Sequence, residues 1–419
     1  MAKKNTNPEV RFAGFLDDWQ KEFVGKYYDF KNGLNKSKEY FGYGKPIVNF
    51  TDVFHNRGLL SNQLNGKVDV TSDEINNYSV KKGDLFFTRT SETIEEIGQP
   101  SVMLDEPTQA VFSGFVLRAR AINEDPLEIG FKQYAFFTNS FRSEMVKKSS
   151  MTTRALTSGT AIKKMLFTFP KSKDEQKLIG NFFKNIDKLI AEHQQKLEKF
   201  IILRKAMLEK VFPKNGNELP EIRFDGFKEK WIKYNLGDVS PIRGGFAFKS
   251  NEFKKEGVPI LKISNILPTG EVGGRFDFYD EQLQDENFLL PNNSAVLAMS
   301  GATTGKVSIL KFKEDKKVYQ NQRVGYFQDK GVVDYSFISI LLRSALFSDK
   351  MKSVLVAGAQ PNVSPKEINA FDFYIPNNSD EQKKIGTYFN NLDELIRNHN
   401  IQLVKLSNIK KAFLTKMFI

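Results

Sequence analysis

The chain has no cysteine, which excludes disulfides and thiolate metal sites. Its three histidines, His55, His193 and His399, are too few for a histidine-based metal cluster. No stretch approaches the ~18 apolar residues of a membrane span. The opening MAKKNTNPEVRF lacks the apolar core of a secretion signal, so the expectation is a soluble, cytoplasmic protein. No Pro-Pro dipeptide occurs, which removes the Asn/Asp-Pro-Pro-aromatic motif expected of an adenine methyltransferase. The run Gly301-Ala302-Thr303-Thr304-Gly305-Lys306 resembles a phosphate-binding loop, but its glycines stand too close and Val307 replaces the Mg²⁺-holding Ser/Thr. Asp238, Glu252 and Lys254 can be forced into a nuclease-like pattern that the first half of the chain does not repeat. No catalytic constellation remains, so the expectation is a non-enzymatic chain that holds no metal and no cofactor.

What is present points elsewhere. A chain of 419 residues with 40% hydrophobic content fills two cores or more. Lysine and arginine total 62 against 50 acidic residues, a net charge of +12 and a pI near 9.3. That excess suggests a polyanionic partner, most commonly nucleic acid; a merely soluble basic protein is the bland alternative.

The chain is written twice. PEVRFAGFLDDW (Pro8 to Trp19) returns as PEIRFDGFKEKW (Pro220 to Trp231). FPKSKDEQKLIGNFFKNIDKLIAEHQQKLEKF, from Phe169, returns as IPNNSDEQKKIGTYFNNLDELIRNHNIQLVKL, from Ile375. The second match runs without a gap to Phe212 and Phe418, with about 20 identities in about 45 positions. Between these connectors, residues 20–168 and 232–374 barely resemble each other. A duplication that keeps its connectors and diversifies its bodies implies two modules with one geometry and two specificities.

The second connector predicts long helices. Ser172 with Glu175, and Asn378 with Glu381, stand at capping-box spacing. Apolar residues then follow in alternating steps of four and three. The first copy reads Ile186, Ile190, His193, Leu197, Phe200, Met207 and Val211. The second reads Leu392, Ile396, His399, Leu403, Leu406, Phe413 and Met417. This is a coiled-coil seam, with the histidines packed as structural residues. Each copy is the obvious partner of the other, and an antiparallel pairing would place the bodies at opposite ends. The bodies read as mixed and β-rich. Strands are expected in VKKGDLFFT, LLPNNSAVLAMS, IKKMLFTFP and INAFDFYIP, and helices in FKQYAFFTNSFRSEMVKK and DYSFISILLRSALFSDKMKS. The expected segmentation is a first body (1–168), a first helix (169–213), a second body (214–374) and a second helix (375–419), an α+β architecture.

Polar, cationic loops recur in both bodies. The first offers Arg89, Thr90 and Ser91, then Arg118 with Arg120, then Arg154, Thr157 and Ser158. The second offers Arg243 and Lys249, then Ser264 and Asn265 behind Lys262. Next come Ser300, Thr303, Thr304 and Lys306, then Asn321, Gln322 and Arg323. Gln360, Asn362 and Ser364 close the series. Arginine and lysine pair with guanine, asparagine and glutamine with adenine, and Ser/Thr with bases or phosphates. Read singly, many of these are turn formers or solvated charges.

These stretches resemble the specificity subunits of type I restriction–modification systems. The second half carries the signature in GGFAFKSNEFKKEGVPILKISNI, SGATTGKVSIL, NQRVGYF and GAQPNVSPKEINAFDFYIPNNSDEQKKIGTYFNNLDELI. The first half matches in LTSGTAIKKMLFTFP, in DEQKLIGNFFKNIDKLI and in overall plan. The resemblance implies two target recognition domains separated by an antiparallel pair of long coiled-coil helices. It implies double-stranded DNA as ligand, with two modification (methyltransferase) subunits and two restriction (translocase and endonuclease) subunits as partners. S-adenosylmethionine, ATP and Mg²⁺ are then expected on those partners only, and the helices are expected to set the unread gap of a split target and to dock the modification subunits. The competing readings are a stand-alone DNA-modifying enzyme and a coiled-coil scaffold without DNA contact.

Overall fold

A computed structural model describes residues 7–214, 217–312, 316–357 and 362–419. The chain forms two compact units, one from Met1–Gln194 with Ile401–Ile419 and one from Gln195–Asn400. Each body is therefore packed with the first part of its own helix and the last part of the other.

In the first unit, the expected strand in VKKGDLFFT is Leu85–Thr88, and all four of its residues are buried. Leu85 and Phe87 face one core with Trp19, Phe131 and Phe136. Phe86 faces another with Val48, Phe112 and Val116. A strand covered on both faces reads as a continuous apolar run rather than an alternation. It lies third in a five-stranded sheet ordered Tyr28–Asn32, Val116–Ala121, Leu85–Thr88, Pro100–Met103, Gly58–Leu59. Just after the opening motif, Gln20–Phe23 pairs antiparallel with the closing strand Leu166–Phe169.

The second unit repeats this plan on different side chains. Ala295–Ala298 sends Ala295 and Leu297 into one core and Val296 and Ala298 into another. Its four-stranded sheet runs Ile242–Arg243, Val324–Phe327, Ala295–Ala298, Val307–Ile309. Ile232–Asn235 pairs antiparallel with Asp372–Ile375. Each predicted body helix breaks in two: Ile129–Ala135 with Asn139–Lys148, and Tyr335–Leu341 with Ala345–Ala357. In the first body the break falls where the Thr138 hydroxyl caps the next helix.

The long helices span Lys173–Lys210 and Ser379–Lys416. In the first unit Phe182 packs on Phe413, with ring centroids 5.0 Å apart, and Asp187 pairs with Lys410. In the second, Phe200 stacks on His399 at 5.6 Å and Asp393 pairs with Arg204. Within each unit the partner numbers fall as the helix advances, which is the antiparallel register. The seam residues are buried or half-buried while most of their neighbours are exposed.

The capping boxes form by half. The Ser172 hydroxyl accepts the Glu175 N–H at 3.3 Å and the Asn378 side chain accepts the Glu381 N–H at 3.4 Å. Both glutamate carboxylates are turned to the opening motifs instead. Arg11 donates to the two Glu175 oxygens at 2.6 and 2.8 Å, and Arg223 does the same to Glu381. A bidentate guanidinium is a stronger partner than one backbone N–H. One residue earlier the motif reaches the other helix: Val10 N–H donates to the Lys416 carbonyl at 2.9 Å, and Ile222 N–H to that of Lys210 at 3.0 Å. Each motif thus fastens the start of one helix to the end of the other.

Each body docks on its helix through a glutamine and a glycine. Gln176 accepts the Glu128 N–H at 2.6 Å, and Gln382 accepts that of Asp334 at 2.8 Å. The backbone of Gly130 and Phe131 lies so close to Gly180 that a Cβ there would meet it at 2.6 Å, and one at Gly386 would strike Ser336. Glu175 is 1% exposed and Glu381 is 0% exposed, so removing the arginine strands a buried carboxylate. Arg11→Ala and Arg223→Ala should each destabilise the unit concerned by about 3–5 kcal/mol. Denaturant unfolding measures this, and a loss below about 1 kcal/mol, the worth of an exposed pair, would contradict the assignment.

Candidate nucleic-acid interface

The first body brings two of its three cationic clusters together. Thr90–Ser91 pairs antiparallel with Ala155–Leu156, which pairs with Ser150–Met151. The Arg89 N–H donates to the Phe115 carbonyl at 3.0 Å, and the Thr157 N–H to the Arg89 carbonyl at 3.1 Å. The Arg89 guanidinium reaches the Gly114 carbonyl at 3.5 Å. Arg154 stands in solvent against Glu92 at 3.3 Å, an exposed pair of little net strength that a phosphate can displace. Thr90 is half-buried and Ser158 exposed, the latter capping the short helix Gly159–Lys163.

The second body builds the same junction from other residues. Met299 N–H donates to the Arg323 carbonyl at 3.0 Å, and Val363 N–H to the Met299 carbonyl at 3.2 Å. By these bonds Arg89 corresponds to Met299, Phe115 to Arg323 and Thr157 to Val363. Gly33 and Gly245 hold the corresponding crossings: a Cβ on either would run into the backbone of Ser113 or Asn321. Gathered there are Gln322 and Arg323, exposed, and Asn321, half-buried. Ser264, Lys306, Asn362 and Ser364 are also exposed nearby in the chain's loops, with Thr303 and Thr304 half-buried. Arg323 donates to the Ser300 hydroxyl at 3.3 Å. Thr303 reaches the Ile263 carbonyl at 3.5 Å, joining the SGATTGK and ISN loops. Ser364 caps Pro365–Asn369 in a full capping box, and its bonds hold the Glu367 carboxyl below the usual range. Lys249 is exposed and paired with Glu252 at 3.1 Å. Gln360 lies outside the described residues.

Several candidates serve the fold instead. Arg118 is 9% exposed, donates to the Ser79 carbonyl at 2.6 Å and lies over the Phe112 ring; burial pushes its pKa down. Its neighbour Arg120 is held by Asp84. Arg243 is a strut, donating to the Leu289 carbonyl at 2.9 Å and the Gln320 side chain at 3.0 Å. Asn265 is fully buried and donates to the Gly273 and Arg275 carbonyls, both at 3.0 Å. Ser91, Thr157 and Ser300 are buried, Thr157 against the Met145 sulfur. The phosphate-loop look-alike is the turn between the antiparallel strands Ala295–Ala298 and Val307–Ile309. A phosphate loop leads into a helix, and no helix follows here.

Two further residues of this junction escaped sequence reasoning. Phe115, 60% exposed, stands where the second body has Arg323, an apolar group suited to a thymine methyl or to a base face. Gln320, fully buried, donates to the Arg243 and Val324 carbonyls and so fixes the turn that presents Asn321 to Arg323. The bodies do not align in sequence, so neither correspondence was visible without the backbone.

Residues 228–407 match the family described as the type I restriction modification DNA specificity domain. The type I restriction enzyme MjaVIII specificity subunit of Methanocaldococcus jannaschii is 26% identical over 250 residues, 58% of this chain and 58% of that protein. The second half of the chain is thus similar to the type I specificity domain. The chain's alignment with the MjaVIII subunit spans little more than half of that protein's length. The MjaX protein of the same archaeon, also named as a type I specificity subunit, is 21% identical with 98% of this chain and 95% of that one covered. The crystal structure of the type I S subunit from M. genitalium superposes with a TM-score of 0.65 at 15% identity, covering 99% of both chains. The fold shared with that structure is two α+β bodies and two long helices. Among the described residues, no helix is long and apolar enough to cross a membrane.

Asn265→Ala tests whether this side chain serves the fold alone. Leaving two buried carbonyls unpaired should cost about 1–3 kcal/mol of stability. The DNA sequence selected from a random pool should not change; a changed preference would return Asn265 to the interface.

Proposed function

We propose that the chain selects the DNA target of a type I restriction–modification complex, one unit reading each half of a split double-stranded site. The observation that carries this reading is the loop junction, built twice from the same backbone bonds and dressed with different side chains. Arg89, Phe115 and Arg154 offer one set of contacts; Gln322, Arg323 and Ser264 offer another. One geometry with two chemistries is what two half-sites require. The net charge of +12 adds non-specific, salt-sensitive attraction to the phosphate backbone.

In this reading the long helices set the unread gap and dock two modification subunits, and two restriction subunits complete the assembly in the cytoplasm. S-adenosylmethionine, ATP and Mg²⁺ bind on those partners. This chain contributes no catalytic residue and no metal ligand.

Arg323→Ala or Gln322→Ala should relax or abolish recognition of one half-site, costing about 1–3 kcal/mol per lost base contact. Arg89→Ala should affect only the other. Selection from randomised targets measures both, and a uniform loss across the two half-sites would count against the assignment. The helices supply a separate test. Four residues inserted after Gln194 and four after Asn400 lengthen both by about 6 Å, roughly one turn. At ~3.4 Å per base pair the gap should grow by one or two base pairs, with unchanged sequences at its ends. Mapping methylated sites for this variant gives the answer, and an unchanged gap refutes the ruler.

A further inference from the structure

One turn of the loop junction can be compared between the bodies residue by residue. In the first body it is Ser113-Gly114-Phe115, closed by the Val116 N–H on the Ser113 carbonyl at 3.0 Å. In the second it is Asn321-Gln322-Arg323, closed by the Val324 N–H on the Asn321 carbonyl, also at 3.0 Å. The approach to each turn is shared as well. Ser113 N–H donates to the Val48 carbonyl at 3.0 Å, and Asn321 N–H to that of Leu261 at 3.1 Å. On the far side, Phe115 and Arg323 offer their carbonyls to the N–H groups of Arg89 and Met299. The backbone is common to both, so what the two turns can bind differs through their side chains.

Those side chains differ in kind. Asn321, Gln322 and Arg323 carry amide and guanidinium groups, and the last two are exposed. In the first turn the Ser113 hydroxyl is buried and accepts the Phe115 N–H at 3.3 Å. A Cβ on Gly114 would meet the Asn35 Oδ1 at 1.9 Å, so Asn35 occupies the space a side chain would take. Phe115 alone is left to face outward, 60% exposed. Beside the turn the arrangement is reversed: the first body has Arg89 where the second has Met299, which is packed in its core. The apolar member of the pair is thus buried in one body and held in solvent in the other. A phenyl ring in water adds nothing to the core and gains only when something covers it.

We propose that Phe115 reads the C5-methyl group of a thymine in the major groove of the first unit's half-site. This rests on the target-reading role proposed above and names the chemical group recognised. Of the groups that base pairs present in the major groove, the thymine methyl is the apolar one; the rest are hydrogen-bond donors and acceptors. A turn whose outward side chain is a bare phenyl ring matches that methyl and none of the others. Arg89, whose guanidinium reaches the Gly114 carbonyl at 3.5 Å, leaves a cation beside the ring for a neighbouring guanine or phosphate. The second turn, with Gln322 and Arg323, suits hydrogen-bonding base edges instead. The two half-sites are therefore read by different forces, apolar contact at one turn and hydrogen bonding at the other.

The test uses the full chain assembled with the modification subunits of its own system, on a duplex carrying its mapped target. Thymines are replaced one at a time by deoxyuridine, which keeps every hydrogen-bonding group and removes only the methyl. One such replacement, in the half-site that Arg89→Ala relaxes, should weaken binding roughly fourfold, the worth of one buried methyl group. Phe115→Ala should weaken binding to the unmodified duplex roughly tenfold. It should also make binding indifferent to that same replacement, because the two changes remove one contact. Phe115→Leu should keep the methyl dependence, and neither variant should shift the melting temperature, since the ring is exposed. Deoxyuridine that weakens wild type and Phe115→Ala equally would overturn the proposal. So would a half-site in which no thymine responds while Phe115→Ala still binds weakly, which would make the ring a stacking group on a base face. In both cases a selected half-site remains and target reading stands. A complex that selects no sequence at that half-site would overturn the reading itself.

Discussion

Everything in each unit is referred to one buried carboxylate at the start of a long helix. Glu175 and Glu381 are removed from water, and a buried anion is tolerable only with its charge and its lone pairs both answered. Arg11 and Arg223 supply that answer bidentately. In doing so they pin the opening motif, whose next backbone group holds the last turn of the other helix. The tryptophan that ends the motif, Trp19 or Trp231, then enters the core of its body. A single ion pair thus locates the helix start, the opposite helix end and the body. The repeat is faithful here but not perfect. Trp19 Nε1 donates to Glu175 at 3.2 Å, while Trp231 Nε1 has no partner among the described residues.

The second constraint is the aspartate clasp midway along the pairing. Burial pushes the Asp393 carboxyl up, but Arg343 and Arg204 outweigh it and hold it below its ordinary range. In the first unit Tyr134 donates to Asp187 at 2.8 Å, and burial pushes its phenol well up, so it remains a donor. A charged residue at this point of an apolar seam fixes register as a polar seam residue does in a coiled coil. Sliding the helices by one turn would leave a carboxylate opposite an apolar residue.

Much of this was legible because helices and strands write their partners into periodic positions. The seam from Ile186 to Val211 and from Leu392 to Met417 could be read residue by residue, and so could the strands Leu85–Thr88 and Ala295–Ala298. The antiparallel sense was an expectation from the family resemblance, not from the periodicity. The interface was less legible. Arg118 and Arg323 look alike in a sequence, each a cation in a short polar stretch, yet Arg118 lies within the strand Val116–Ala121. Only three-dimensional packing buries one against Phe112 and leaves the other exposed. Asn265 was read as a base-reading amide, yet its donors close a turn. Turn formation and base recognition call on the same residue types, so composition alone cannot separate them. Arg57 and Arg343 were invisible for another reason: each lies beside the aspartate of its unit's helix, but from no shared sequence position.

The docking of each body on its helix has an evolutionary consequence. The body's grip on Gln176 or Gln382 is a backbone N–H, offered by Glu128 in one case and Asp334 in the other, and a backbone group is available from any sequence. Close approach at Gly180 and Gly386 asks only that the helix lack a side chain there. This part of the docking is therefore indifferent to the body's sequence, while side chains such as Tyr134 on Asp187 and Arg343 on Asp393 add contacts particular to each body. The two long helices share about 20 of about 45 residues and the same docking positions. A crossover within them would rebuild an uninterrupted helix while attaching a foreign body to it. Such an exchange would change the loops a body presents without any redesign of the helices.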